Sequence, residues 1–135
     1  MGKKMIIKGL NIKPNVVKTF FNYSDGDLKT GCYWINGTYQ TNGGNSTRLL
    51  TIQVKSNTRL GVYSGAQSNG WQGVNQIVLK RGKDDTTTPV KTVNYTSQGQ
   101  QLNYMDIDID GYVDISFDIL ASPLETSYYT VENKS

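Results

Sequence analysis

From residue 105 to residue 119 the odd positions are apolar, Met105, Ile107, Ile109, Val113, Ile115, Phe117 and Ile119, broken only by Gly111. The even positions hold Asp106, Asp108, Asp110, Tyr112, Asp114, Ser116 and Asp118. Successive side chains of a strand leave opposite faces, so this pattern builds a sheet with one apolar face; a helix would need its apolar residues to recur about every 3.6 positions. Similar alternation, closed each time by turn residues, predicts strands near 4–10, 15–23, 31–40, 47–55, 59–64, 74–81, 89–96, 102–109 and 112–120. No stretch keeps helical spacing for three turns.

Two turns stand out. Asn36-Gly37 lies between "CYWI" and "TYQ", and Asp110-Gly111 lies between two alternating runs. Both dipeptides tolerate the positive φ angles of a type I′ hairpin, so each is expected to fold its flanking strands onto one another. "TNGGNS", "KSNT", "SGAQSNGWQG" and "RGKDDTTTP" mark longer loops. The expected fold is all-β: a single antiparallel β-sandwich, jelly-roll-like, of about eight strands. With 135 residues the chain is the size of one domain. Residues 1–24, interrupted by Pro14, read as an N-terminal arm or first strands, 25–120 as the sandwich, and 121–135 as a polar C-terminal tail.

Composition narrows function mainly by exclusion. There is no His, which removes Ser-His-Asp and Cys-His catalysis and His-based zinc sites. The two Glu, Glu125 and Glu132, fall in the tail, and the aspartates lie on an open strand face with nothing to separate their pKa values, so a two-carboxylate glycosidase is not supported. No phosphate-cradling glycine loop is present. The chain therefore reads as a non-enzyme without a cofactor. Its net charge of +3 is mild and no stripe of Lys and Arg interleaves with aromatics, which argues against nucleic acid as a partner. The basic N-terminus is followed by an apolar run too short for a signal-peptide core or a membrane span, so no membrane insertion and assembly in a host cytoplasm are expected. Cys32, the single cysteine, reads as a small core residue. The Asn-x-Ser/Thr triplets at Asn22, Asn36, Asn45, Asn94 and Asn133 are what a chain rich in Asn, Ser and Thr produces by chance.

Asp106, Asp108, Asp110 and Gly111 imitate the start of an EF-hand calcium loop. That loop needs a bidentate Glu at its twelfth position, and counting from Asp106 the twelfth is Phe117. The flanking strands exclude it again, because an EF-hand needs helices. No metal site is assigned. The aspartates instead form an outward acidic face, Asp106, Asp108 and Asp110 on one strand and Asp114 and Asp118 on the next, either solvated or answered by cations of a protein partner.

Binding residues are easier to nominate. Trp71, in the amide-rich "AQSNGWQG" loop with Asn69 and Gln72, and Trp34 and Tyr39 beside the Asn36-Gly37 turn, are candidates for stacking on a sugar ring. Tyr33 and Trp34 alternate, so one of them faces the core. Lys3, Lys4 and Lys8, with Asp106, Asp108 and Asp114, are candidate protein-interface residues.

The succession Gly31-Cys32-Tyr33-Trp34, "TRLLTIQVKSNTRLGVYS", "GVNQIVLKRG" and "QQLNYMDIDIDGYVDISF" resembles a jelly-roll module of bacteriophage tail, baseplate and fibre proteins and of related bacterial surface proteins. The resemblance spans residues 31–120 and is one of pattern, with no functional residues to carry across. It implies a non-catalytic virion component, such as a capsid-decoration, head-fibre or baseplate subunit, whose expected partners are other virion proteins and a cell-surface glycan. A free-standing carbohydrate-binding module is the alternative.

Overall fold

The computed structural model describes residues 16–20, 28–64, 74–94, 101–118 and 127–134, without the side chains at 16, 75, 101 and 118. The described residues hold no helix and eleven strands: β1 (Val16–Phe20), β2 (Leu28–Thr30), β3 (Tyr33–Ile35), β4 (Thr38–Gln40), β5 (Thr47–Val54), β6 (Thr58–Ser64), β7 (Val74–Lys80), β8 (Lys91–Asn94), β9 (Gln101–Ile107), β10 (Gly111–Asp118) and β11 (Tyr128–Asn133). All pairings are antiparallel. A four-stranded sheet runs β1-β11-β6-β9, a five-stranded sheet runs β2-β5-β10-β7-β8, and β3-β4 form a ribbon of their own. The protein is an all-β sandwich.

Apolar faces of the two large sheets meet in one core. The five-stranded sheet contributes Leu50, Val54, Val74, Ile77, Leu79, Val113, Ile115 and Phe117; the four-stranded sheet contributes Leu60, Val62, Met105 and Ile107. Burying each such side chain stabilises by roughly 1.5–3 kcal/mol. On β7 a bulge opposite the Ser116/Phe117 step puts an extra residue into the ladder, so that Val74 and Ile77, three apart, both reach this core.

The two hairpin expectations part company here. Asn36 (φ 52°) and Gly37 (φ 75°) do form a two-residue loop with both φ angles positive, pairing Trp34 with Tyr39 and Ile35 with Thr38. Asp110-Gly111 does not form a hairpin. β9 and β10 belong to different sheets, and neither Asp110 nor Gly111 has positive φ. The chain arches over the open end of the sandwich instead, beside the β5–β6 connection, where Asn57 N–H donates to Ile107 O (2.8 Å) and Ser56 N–H donates to Asp110 Oδ1 (2.9 Å). Gly111 is required for another reason: a Cβ there would lie 2.4 Å from the carbonyl oxygen of Lys80. The odd-numbered apolar residues from Met105 to Phe117 face the core as expected, but they do so from both sides of it, and Ile119 lies outside the described residues.

The expected tail also differs. Tyr128–Asn133 is a strand inside the four-stranded sheet, between β1 and β6, with Tyr129 and Val131 packed on the core. Its inward positions alternate with Tyr128, Thr130 and Glu132, so its apolar signal is only two residues long. The strand expected at 4–10 lies outside the described residues.

Candidate functional site

The β3–β4 ribbon lies on the far side of the five-stranded sheet and closes it. Trp34 is 1% exposed and packs on Leu49 and Val78, with Cys32 and Tyr39 at the margin. Its backbone N–H donates to Ser116 Oγ (2.7 Å), and its indole Nε1–H donates to Asp114 Oδ2 (2.9 Å). Thr51 Oγ1 donates to Asp114 Oδ1 (2.7 Å), and Lys80 Nζ stands 2.7 Å from Asp114 Oδ2 with its other donor on the Asp85 carbonyl (3.0 Å). Farther along, Gly37 N–H donates to Gln76 Oε1 (3.3 Å), and Gln76 Nε2 donates to Asn94 Oδ1. Burial pushes the Tyr39 hydroxyl well above its ordinary range, with Cys32 and then Asp114 adding to the effect.

Two expectations are corrected by this arrangement. Trp34 is no sugar platform, because both its faces and its N–H are consumed inside the protein. Asp114 is no interface residue on an outward acidic face; it is fully buried and held by an indole, a hydroxyl and an ammonium. The network is a structural clamp between the ribbon and the sheet, and the Trp34, Thr51, Lys80, Gly37 and Gln76 donors each reach an acceptor within the chain. Tyr39 is half-buried, its ring centre 5.3 Å from that of Trp34 and its plane at 72° to it.

Of the other aspartates of that expected face, Asp106, Asp108 and Asp110 are exposed and have separate partners, and the Asp118 side chain lies outside the described residues. Asp106 lies 3.6 Å from Arg59 and from Lys134, Asp108 lies 3.6 Å from Lys91, and Asp110 caps Ser56, whose amide holds that carboxyl below its ordinary range. Cations of the same chain answer this face. Among the described residues no group of three or more His, Cys, Asp or Glu is placed to hold a metal ion. Asn69, Trp71, Gln72, Lys3, Lys4 and Lys8 lie outside the described residues.

The open functional surface is on the other sheet. The outer face of β1-β11-β6-β9 presents side chains in three rows fixed by strand register. Phe20, Tyr128, Tyr63 and Leu102 make the first; Lys18, Thr130, Gly61 and Tyr104 the second; Glu132, Arg59 and Asp106 belong to the third. Phe20 (48% exposed), Leu102 (37%) and Tyr104 (51%) are the exposed large apolar groups of this face. Tyr63 and Tyr128 stack on each other at 4.9 Å and 19°, Phe20 meets Tyr128 edge-on at 5.4 Å, and Lys18 Nζ sits 4.1 Å from the centre of the Tyr128 ring. The absence of a side chain at Gly61 lets Tyr104 lie across its strand: a Cβ there would come 2.7 Å from Thr130 Oγ1 and 2.9 Å from Tyr104 Cε1. Arg59 in turn covers the Tyr104 ring at 5.2 Å.

Sequence reasoning passed over Phe20, Leu102, Tyr104 and Tyr128. The signal was there in "QLNYMDI", where Leu102 and Tyr104 occupy outward positions of a strand whose inward positions, Met105 and Ile107, are already apolar. Apolar residues on both faces of a strand mark the outer one as a candidate interaction surface. Neither the models of known protein families nor the curated proteins match this sequence.

Proposed function

We propose that the protein is a non-catalytic structural and binding subunit of a phage particle, a small capsid-decoration, head-fibre or baseplate component that docks on its neighbours through the outer face of the four-stranded sheet. The observation that carries the reading is the inequality of the two sheets. One has its outer face sealed by a ribbon and a satisfied polar network; the other leaves an aromatic and aliphatic row bare, the kind of apolar surface that marks an interaction site. A jelly-roll reading is supported by the strand order. Numbering β1 and β5 to β11 consecutively, the sheets run 1-8-3-6 and 2-7-4-5, the wiring of two interleaved Greek keys, with β2 added at an edge and β3-β4 inserted.

The orientation of the rings favours a protein over a sugar as the occupant of this face. A pyranose stacks on an open ring face, whereas Tyr63 and Tyr128 spend their faces on each other and on Lys18, and Tyr104 is capped by Arg59. The test is quantitative mass spectrometry of salt-washed particles, in which the chain is expected at a fixed copy number relative to the capsid protein. Absence from particles, together with glycan-array binding that Trp71→Ala abolishes, replaces the reading with a free-standing carbohydrate-binding module.

A further inference from the structure

We propose that the outer face of the four-stranded sheet packs against the same face of a second copy, about a two-fold axis that runs along the strands between β11 and β6. This rests on the reading of that face as a docking surface and names what covers it. The sheet has four strands, so such an axis sets β1 against β9 and β11 against β6 of the copy, while each row meets the same row. Phe20 then faces Leu102, and Tyr128 faces Tyr63. In the second row Lys18 faces Tyr104, an ammonium toward an aromatic ring, and Thr130 faces Gly61. In the third row Glu132 faces Arg59. The remaining third-row pair sets Asp106 over position 16 of β1 and adds nothing, its carboxylate being held by Arg59 and Lys134 of its own chain; the other contacts are complementary, and symmetry makes each of them twice.

The alternative two-fold, across the strands, fails on chemistry. It would set the aromatic row against the charged row, with Tyr128 toward Glu132 and Leu102 toward Asp106. Sheets stacked face to face keep their strands within about 30° of parallel, a geometry that the first axis meets with each sheet turned by about half of that. Four strands roughly 4.8 Å apart and three rows spaced roughly 6.8 Å give a footprint of about 20 by 20 Å per partner, roughly 800 Å² in total and below the roughly 1,000 Å² that a stable interface clears. A weak, concentration-dependent dimer is therefore expected, strengthened wherever copies are arrayed side by side.

Sedimentation equilibrium of the full chain over a concentration series tests this, with near-ultraviolet circular dichroism and a thermal melt to confirm that each variant is folded. Wild type is expected to dimerise. Glu132 and Arg59 are also cross-strand neighbours within one chain, so Arg59→Glu alone and Glu132→Arg alone are each expected to weaken the dimer at least tenfold, the double swap to restore it to within about threefold, and an equimolar mixture of the two single variants to pair with one another as tightly as the double swap does. Phe20→Ser, on an exposed edge strand, is expected to weaken it without touching the charges. A chain that stays monomeric up to about 1 mM overturns the proposal, as does a dimer indifferent to the single swaps or not regained by the double one. Monomers in solution with the chain still found at fixed copy number in particles would remove this partner and leave the particle reading standing; a charge-dependent dimer absent from particles would do the reverse.

Discussion

Buried beneath the ribbon, the Asp114 carboxylate receives an indole N–H, a hydroxyl and an ammonium. Removing one member of such a pair leaves the other charge stranded in the interior, whereas replacing both by apolar groups relieves both desolvation penalties. Asp114→Ala is accordingly expected to lose about 3–5 kcal/mol of unfolding free energy. Lys80→Met with Asp114→Asn, whose amide oxygen can still accept from Trp34 or Thr51, should recover part of that loss, and urea unfolding of the two variants decides it. If the double variant is no more stable than Asp114→Ala, the ion pair is contributing more than its own desolvation. A second carboxylate tells a pH story. Thr88 Oγ1 and the amides of Thr87 and Thr88 hold the Asp85 pKa down from 3.8 to about 2. The folded value lies below the unfolded one, so its stabilising contribution is complete above about pH 4 and is lost as pH falls through 2. A carbon-13 titration of the Asp85 carboxyl is expected to give a midpoint near 2, and a midpoint at the ordinary 3.8 would refute those hydrogen bonds.

Glycine separates two kinds of strand connection at the level of elements. Gly37 sits at φ 75° with nothing within 4 Å of where a Cβ would stand, so Gly37→Ala has only backbone strain to bear, about 1–2 kcal/mol. At Gly111 the backbone angle is unremarkable for any residue, and the obstacle is the Lys80 carbonyl 2.4 Å from the added carbon. Gly111→Ala must push β10 away from β7 and is expected to be the more destabilising of the two in side-by-side thermal melts; equal melting temperatures would show that the arch yields freely. Trp34→Ala, which removes the ribbon's anchor, is expected to cost about 3–5 kcal/mol, while leaving the inter-sheet core packing intact. The Asn36-Gly37 turn was legible because its geometry depends only on two local φ angles. The Asp110-Gly111 arch was not, because the choice between pairing with the previous strand and crossing to the other sheet is made by the strands waiting there: β6 for β9, β5 and β7 for β10.

For the molecule as a whole, β10 is the central strand of the five and is sealed on both faces, by the core on one side and the ribbon on the other. Its amides are expected to exchange with solvent more slowly than those of the edge strands β1, β2 and β8, and to open only with global unfolding. Hydrogen exchange read by mass spectrometry would contradict this layering if β10 peptides exchanged as fast as those of β1. Among the described residues the four-stranded sheet has no counterpart to the ribbon, and its outer face carries Phe20, Leu102 and Tyr104 exposed.

Taken by itself, the sequence determined the class of fold, since period-2 alternation broken by turn residues admits strands and little else, and it determined which side of 105–117 faces the core. It also marked Asn36-Gly37 as a turn, a matter of local backbone geometry. Which polar residues meet water was decided only in three dimensions. Alternation says that Asp114 and Ser116 face away from Ile115 and Phe117; it does not say that Trp34, some eighty positions earlier, will cover them. Nor could it say that Tyr128–Asn133 sits between β1 and β6, because a strand with one apolar face and a short signal gains its place from the partners on either side. Burial is a property of pairs of surfaces, and the second surface comes from far along the chain.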